Sequence, residues 1–390
     1  MEGCVPTCID QSTTVEEFFM ENEYRMCVRC IMDTTASEIR FGENGYCNYC
    51  TEALEKLQSM PLRKDELCLE KMVKKVKENG KGKEYDCIIG VSGGVDSSYT
   101  AYNVKKLGLR PLAIHLDNGW DSELAVKNIE NICNILDIDL FTYVIDWEEF
   151  KDLQLSFLKA STSDSEIPSD HAIVAILYEM ASKKGLKYIL MGSNTASESI
   201  MPRSWSTGHA DWKYISSIQK QFGTKELKSF PHYSLFKLIE YKRVVGITRI
   251  SFLDYFDFNK QEAKKIIEKE IGWRDYGEKH YESKYTKFFQ AYILPTKFGF
   301  DKRKAHLSSL IVSGQITREQ ALEELKNEIY PPKELEEDID YVANKFGITR
   351  DEFNSIMNLP PKTYWDYPNY QKTRYYKLVK KVYRSIKPRE

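Results

Sequence analysis

No stretch of this 390-residue chain approaches the roughly 18–20 consecutive apolar residues that a membrane-crossing helix needs, so no membrane role is expected. Near the start there is no basic segment followed by an apolar core, so no secretory leader is read and a cytoplasmic setting is expected. Charge of one sign is missing too. The 56 Lys+Arg and 58 Asp+Glu leave a net charge of −2, which argues against a large nucleic-acid surface, though a local patch is compatible with it. There is no internal repeat, no low-complexity tract and no GxxxxGK[ST] nucleotide loop. What remains is the composition of an ordinary globular protein, 42% apolar and 29% charged, long enough for two or three domains.

The most informative segment present is Ser92-Gly93-Gly94-Val95-Asp96-Ser97-Ser98, which follows the apolar run Cys87–Val91 and precedes a predicted helix. Strand, tight Gly-Gly turn and helix turn backbone N–H groups and a helix N-terminus toward a phosphate. Glycine permits close backbone approach and positive φ. Three serine hydroxyls add donors, and Asp96 is suited to holding magnesium among phosphate oxygens. The segment resembles the PP-loop (SGGxDSS) of the N-type ATP pyrophosphatases. The resemblance implies cleavage of ATP between its α and β phosphates, with AMP passing to a substrate oxygen.

From Tyr85 to about Ala196 short apolar strands alternate with longer helices. Strands are predicted at 86–91, 111–116, 140–145 and 188–191, and helices at 98–107, 123–136, 147–160 and 170–184. That alternation implies right-handed crossovers and an α/β fold, a doubly wound parallel sheet covered on both faces. The PP-loop resemblance makes it the ATP pyrophosphatase (adenine nucleotide alpha hydrolase-like) type. Ligands of such sheets bind beyond the carboxyl ends of the strands, where the Ser92 loop, Asp117-Asn118-Gly119 and Gly192-Ser193-Asn194 all fall. The organisation read from the chain is an arm and zinc module over 1–60, a helical linker over 61–84, a PP-loop ATP-binding domain over 85–215 and a mainly helical substrate or partner region over 216–390. A helix is expected near 259–270. Thr317-Arg-Glu-Gln320 and Thr349-Arg-Asp-Glu352 read as capping boxes, and the tail from Lys372 is basic and tyrosine-rich.

Cys27-Val-Arg-Cys30 and Cys47-Asn-Tyr-Cys50 are separated by sixteen residues, a spacing suited to a closed four-thiolate zinc site. Cys4 and Cys8 read as bystanders on the arm, and Cys68, Cys87 and Cys133 as packing residues.

A carboxylate on the loop Leu190–Glu198, opposite Asp96, would complete a magnesium site. This loop resembles the GTxNxxE loop of ammonia-dependent NAD synthetases, which points to Glu198 as the second ligand. Asp117 is a candidate adenosine contact, and Gly192 a cofactor-loop glycine. His115 reads as a satisfied core histidine. Clusters around Arg203, around His280, Tyr281 and Glu282, and around Lys297, Lys302 and Arg303 carry more charge and aromatic surface than packing requires, and are candidate substrate contacts.

A four-cysteine module ahead of a PP-loop, with the string Cys27-Val-Arg-Cys30-Ile-Met32-Asp-Thr-Thr35, resembles the N-acetyl sugar amidotransferases of surface polysaccharide and flagellin-sugar biosynthesis. So do Lys279–Glu282 and Phe298-Gly-Phe-Asp301-Lys302-Arg303-Lys-Ala-His306. Asp33 departs from the family's usual proline. The resemblance implies that an acetamido oxygen attacks the α-phosphorus of ATP and that ammonia then displaces AMP, giving an acetamidino sugar. Asp96, Glu198 and magnesium would neutralise charge. Ser92, Ser97, Ser98 and the amides of Gly93, Gly94 and Val95 would hold pyrophosphate, with His171 or His280 assisting proton transfer. The sequence has no GxCxG elbow with HxE, and Cys4 is not terminal, so no glutaminase is recognised and a separate glutamine-hydrolysing partner is expected. The rival readings are a PP-loop tRNA thiolase or lysidine-type modifier, and a non-catalytic zinc-ribbon scaffold.

Overall fold

The computed structural model describes residues 24–60, 65–277 and 282–376. The arm with Cys4 and Cys8, the candidates His280 and Tyr281, and the tail beyond 376 lie outside the described residues.

Two helices precede the sheet: α1 (Asn48–Gln58) closes the cysteine module, and α2 (Glu66–Gly80) starts on an Asp65 side-chain cap. The next elements alternate as expected: β1 (Cys87–Gly90), α3 (Val95–Lys106), β2 (Pro111–Asp117), α4 (Glu123–Leu136), β3 (Asp139–Val144), α5 (Trp147–Lys159), α6 (Ile167–Lys183) and β4 (Tyr188–Met191). A short turn α7 (Thr195–Glu198) leads to α8 (Trp212–Phe222), α9 (Leu235–Ile239), β5 (Thr248–Ser251) and α10 (Lys260–Ile271). Then come α11 (Lys284–Phe288), a π-helical stretch Phe289–Phe298, α12 (Arg303–Val312), α13 (Arg318–Glu324), α14 (Pro332–Phe346) and α15 (Arg350–Met357). Both capping boxes form, at Thr317 before α13 and Thr349 before α15.

The five strands are all parallel, in the order β3-β2-β1-β4-β5. Ile88 of β1 registers with Leu112 on one side and Ile189 on the other. β1, β2 and β4 are buried almost throughout, which is why they read as unbroken apolar runs instead of alternating ones. β5 was not expected from sequence and comes from beyond residue 215. Its four residues, Thr-Arg-Ile-Ser, are exposed or half-exposed and show no apolar run.

Apolar residues cover both faces. One layer joins Val76, Val104, Ile132, Phe252 and Ile267, and the other Leu112, Phe150, Ile176 and Leu177 and, continuous with these, the four cysteines of the N-terminal module. Order reverses between β1 and β4, so the Ser92 and Gly192 loops flank the topological switch point, where open α/β sheets bind ligands. No helix among the described residues is long and apolar enough to cross a membrane.

Candidate active site and metal centre

The Ser92–Ser98 loop is held by its own polar groups. Ser92 N donates to Ser97 Oγ at 3.2 Å, Gly94 N to Ser92 Oγ at 3.3 Å, and the fully buried Ser98 hydroxyl to Gly94 O at 2.7 Å. Ser92 and Ser97 therefore present the more accessible hydroxyls, while Ser98 closes the turn. Gly93 has φ +76°, and a Cβ there would stand 2.5 Å from the Ala125 carbonyl oxygen of α4, so no other residue fits without displacing backbone. Gly192 is needed for a different reason. Its Cβ would lie 2.9 Å from the carbonyl of Asp96, so the two loops meet backbone to backbone. Asn194 Nδ2 reaches Asp96 Oδ2 at 3.4 Å, and its Oδ1 caps the short turn that ends in the exposed Glu198.

Three residues that no motif announces complete the loop's surroundings. Trp273 Nε1 donates to Gly93 O at 2.8 Å, Asn128 Nδ2 reaches the same carbonyl at 3.4 Å, and the Tyr276 hydroxyl accepts from Val95 N at 3.3 Å. Glu282 approaches the same place: a Cβ on Gly94 would be 3.2 Å from its Oε1. Ser122 N donates to Glu282 O and Lys284 N to Trp120 O, which ties this segment to the loop after β2. Asp117 stands at the end of β2, where its Oδ1 accepts from Gly119 N at 2.9 Å, and Asn118 Nδ2 bonds Ser169 Oγ at the start of α6.

The start of α6 carries a polar cluster that sequence reasoning missed. Glu166 accepts from the Thr286 hydroxyl and from Gln290 Nε2, and its carboxyl is pushed up by burial against the opposing pull of Lys302. Asp164 accepts from the Ser206 hydroxyl; burial raises its carboxyl, but His209 and Lys302 outweigh that and hold it below the usual range. His209 Nε2 lies 3.4 Å from Asp164 and 3.3 Å from Asp170; burial would lower its pKa, yet the two carboxylates raise it to about 10. A histidine raised from about 6.5 stabilises the fold fully below that pH, and the contribution fades as pH rises through about 10. His209→Gln is therefore expected to lower the urea midpoint at pH 6, with the gap to the unsubstituted protein closing above pH 10.

The other sequence candidates are distributed unevenly. His171 is fully buried, stacked between Tyr233 and Trp212, with Nδ1 on His209 O and Nε2 accepting from Tyr233 N; burial brings its pKa down to about 4. Both ring nitrogens are thus occupied by backbone inside the core. Lys297 donates to the carbonyls of Ile356 and Met357 at the end of α15, and burial lowers it to about 8. The Arg303 guanidinium forks onto Asp301 and reaches the carbonyls of Glu324, Leu325 and Asn327. Arg203 is exposed on the turn before α8. Lys302 faces Asp164 and Glu166, and with Ser197, Gly277, Gln290, Arg303 and His306 it lines a cavity of about 470 Å³ between α10 and α12. His115, as expected, is a satisfied core histidine, with Nδ1 on Val91 O and Nε2 on Asp121.

Cys27, Cys30, Cys47 and Cys50 are fully buried, and their sulfurs lie within 4.8 Å of one another. The pairs Cys27–Cys50 and Cys30–Cys47 are 3.7 and 3.6 Å apart. Four sulfurs about 2.3 Å from one ion would stand about 3.8 Å apart at the corners of a tetrahedron, so the donor set fits a closed thiolate metal centre. The module docks through Arg318, whose Nε and Nη2 reach the carbonyls of Cys30 and Cys27 at 3.1 and 3.2 Å. Buried Asp33 pairs with Lys304 of α12 and accepts from Tyr24 and Thr35, so this acidic residue is a docking contact.

Residues 282–383 match the family model of the LPS biosynthesis protein WbpG-like C-terminal domain. The tRNA-specific 2-thiouridylase MnmA 2 of Fusobacterium nucleatum is 26% identical over 118 residues, 28% of this chain and 34% of that protein, so the chain spans about a third of the length of that curated relative. Solved structures with some likeness include the NH3-dependent NAD synthetase of Campylobacter jejuni, at 14% identity and TM-score 0.28, covering 78% of this chain and 98% of that one. Another is NMN synthetase of Francisella tularensis, at 12% identity and TM-score 0.28, covering 80% and 96%. The chain thus carries a C-terminal region that matches the WbpG-like LPS biosynthesis model, and its intact Ser92–Ser98 loop, at the switch point of a parallel sheet, resembles the PP-loop.

Proposed function

We propose that this PP-loop enzyme of glycan biosynthesis is an ATP-dependent, AMP-forming sugar amidotransferase. The observation that carries the reading is the placement of Glu282: the first residue of the WbpG-like region lies against Gly94 of the PP-loop, so both parts of the chain build one site. The acetamido oxygen of a nucleotide-linked N-acetyl sugar attacks the α-phosphorus of ATP, forming an O-adenylated imidate as pyrophosphate leaves. Ammonia then adds to the imidate carbon and AMP departs, leaving an acetamidino group. An amide carbon is a poor electrophile, and adenylation supplies the leaving group it lacks.

In this reading Ser92, Ser97 and the loop amides hold pyrophosphate in line, and the walls of the crevice keep water from the adenylate. Asp96 and Glu198 would hold magnesium, which supplies neutralisation of the phosphate charge. Zinc is the ion proposed for the four cysteines, as a structural centre. Asp117 remains the proposed adenosine contact. The cavity beside Lys302 is the proposed acceptor site. Ammonia is proposed to come from a separate glutamine-hydrolysing subunit, and the protein to work in the cytoplasm.

The test is incubation with ATP, magnesium, ammonium and a panel of nucleotide-linked N-acetyl sugars. AMP formation with a product in which NH replaces oxygen is the expected result; pyrophosphate release with no such product on any sugar would remove the acceptor assignment. A tRNA-modifying role is the second reading, favoured by the thiouridylase relative. Against it, Cys87 at the start of β1 and Cys133 in α4 are both buried, and burial pushes both thiols up, which disfavours sulfur-transfer thiolates. Tight, salt-sensitive tRNA binding would reverse that preference.

A further inference from the structure

The segment 272–277 that follows α10 is fastened to the PP-loop at several points. Trp273, 2% exposed, donates its indole N–H to Gly93 O. Asn128 of α4 holds both backbone groups of Arg274, donating to its carbonyl and accepting from its N–H, each at 2.9 Å. Tyr276 then packs edge-on against Trp273, with ring centroids 5.6 Å apart, and brings its hydroxyl to the N–H of Val95. That N–H belongs to the first turn of α3, among the donors a helix leaves without an internal partner and offers to an anion. The phenol oxygen lies 3.1 Å from the point where a Cβ on Gly94 would stand, beside Ser92 Oγ and Glu282 Oε1 at 3.2 Å from the same point. It therefore stands at the mouth of the loop.

We infer that Tyr276 is a phosphate-binding residue of this site, whose O–H donates to an oxygen of the pyrophosphate group seated in the loop. The inference rests on the reading of Ser92–Ser98 as a pyrophosphate cradle. A tyrosine hydroxyl that accepts one hydrogen bond still has its proton to give. Burial, then the nearby carboxylates Glu282 and Asp96, push its ionisation far above the ordinary range, so the group stays a neutral donor. Neutrality matters at this position. A neutral phenol adds a donor here without adding a cation that would form an ion pair with those two carboxylates. Trp273 and Asn128 set the position of the ring, and removal of the hydroxyl alone leaves that packing in place.

The experiment is calorimetric titration of the full-length protein, with and without Tyr276→Phe, using magnesium pyrophosphate as the probe. Loss of a hydrogen bond to a charged oxygen is expected to weaken binding roughly tenfold or more. Thermal unfolding of the ligand-free protein should stay cooperative and fall only slightly, by loss of the one bond from Val95 N, and with ATP the effect should appear in KM more than in kcat. Equal affinity in the two proteins overturns the inference, and so does tighter binding by the variant, which would make Tyr276 a plug that the ligand displaces. Failure of the unsubstituted protein to bind pyrophosphate removes the cradle reading itself; binding by the unsubstituted protein with no loss in the variant removes only Tyr276.

Discussion

Asp96→Asn is expected to reduce AMP formation by roughly a thousandfold, with the fold intact. The substitution changes charge and almost nothing else. Asp96 is the second residue of α3, half-buried, with Oδ2 3.4 Å from Asn194 Nδ2, and its backbone carbonyl accepts from the Thr100 hydroxyl. An asparagine occupies the same volume and can still bond Asn194. It loses the favourable interaction of a carboxylate with the N-terminus of α3, on the order of 0.3–1 kcal/mol, a small fraction of a typical folding free energy. In the proposed reading the cation loses one of its two carboxylates and is left with Glu198 alone, so neutralisation of the phosphates is sharply reduced. Pyrophosphate release measured at saturating magnesium is the readout, with thermal unfolding as the control. A variant that keeps a tenth or more of the original turnover would show that Asp96 does not hold the cation.

The second large effect is expected at the cysteine cluster. Cys30→Ser should strip the metal from the isolated protein and lower stability by more than about 2 kcal/mol, because structural metal binding is coupled to folding. The sulfur it removes is fully buried, lies 3.6 Å from Cys47 Sγ and accepts from Met32 N. Its neighbouring carbonyl is an anchor for Arg318, so a disturbed knuckle also loosens the contact with α13. Metal content by elemental analysis and the urea midpoint are the two measurements. If the purified protein carries no metal and Cys30→Ser leaves the midpoint unchanged, the four thiols are packing residues.

How legible these features were depended on how local their causes are. The strand at Tyr188–Met191 and the helix at Glu123–Leu136 follow from apolar runs and patterns read over a few residues, and the structure places them at those bounds. The capping boxes at Thr317 and Thr349 are local in the same way. β5 was missed because Thr248–Ser251 has little strand pattern of its own and is paired by β4. Tyr276 and Trp273 were missed because their partners in the PP-loop are about 180 residues away in the chain. Histidine identity misled for the same reason. Nothing near His171 in sequence says that Tyr233 and Trp212 will enclose it, or that His209 will meet Asp164 and Asp170 instead. Lys297 and Arg303 read as clamps for a ligand, yet helix ends at 357 and 324 turn backbone carbonyls toward them, and the two cations meet those.

The contact between Arg318 and the cysteine knuckle bears on the order in which the protein matures. Arg318 and Cys30 are 288 residues apart, and Lys304 and Asp33 are 271 apart. A ribosome releases the cysteines first, so the thiol cluster emerges long before α12 and α13 exist to cover its outer face. Metal capture by the nascent chain would then come first, and the closing of the C-terminal helices over it would be a late, sequence-distant step that limits how fast the native protein appears.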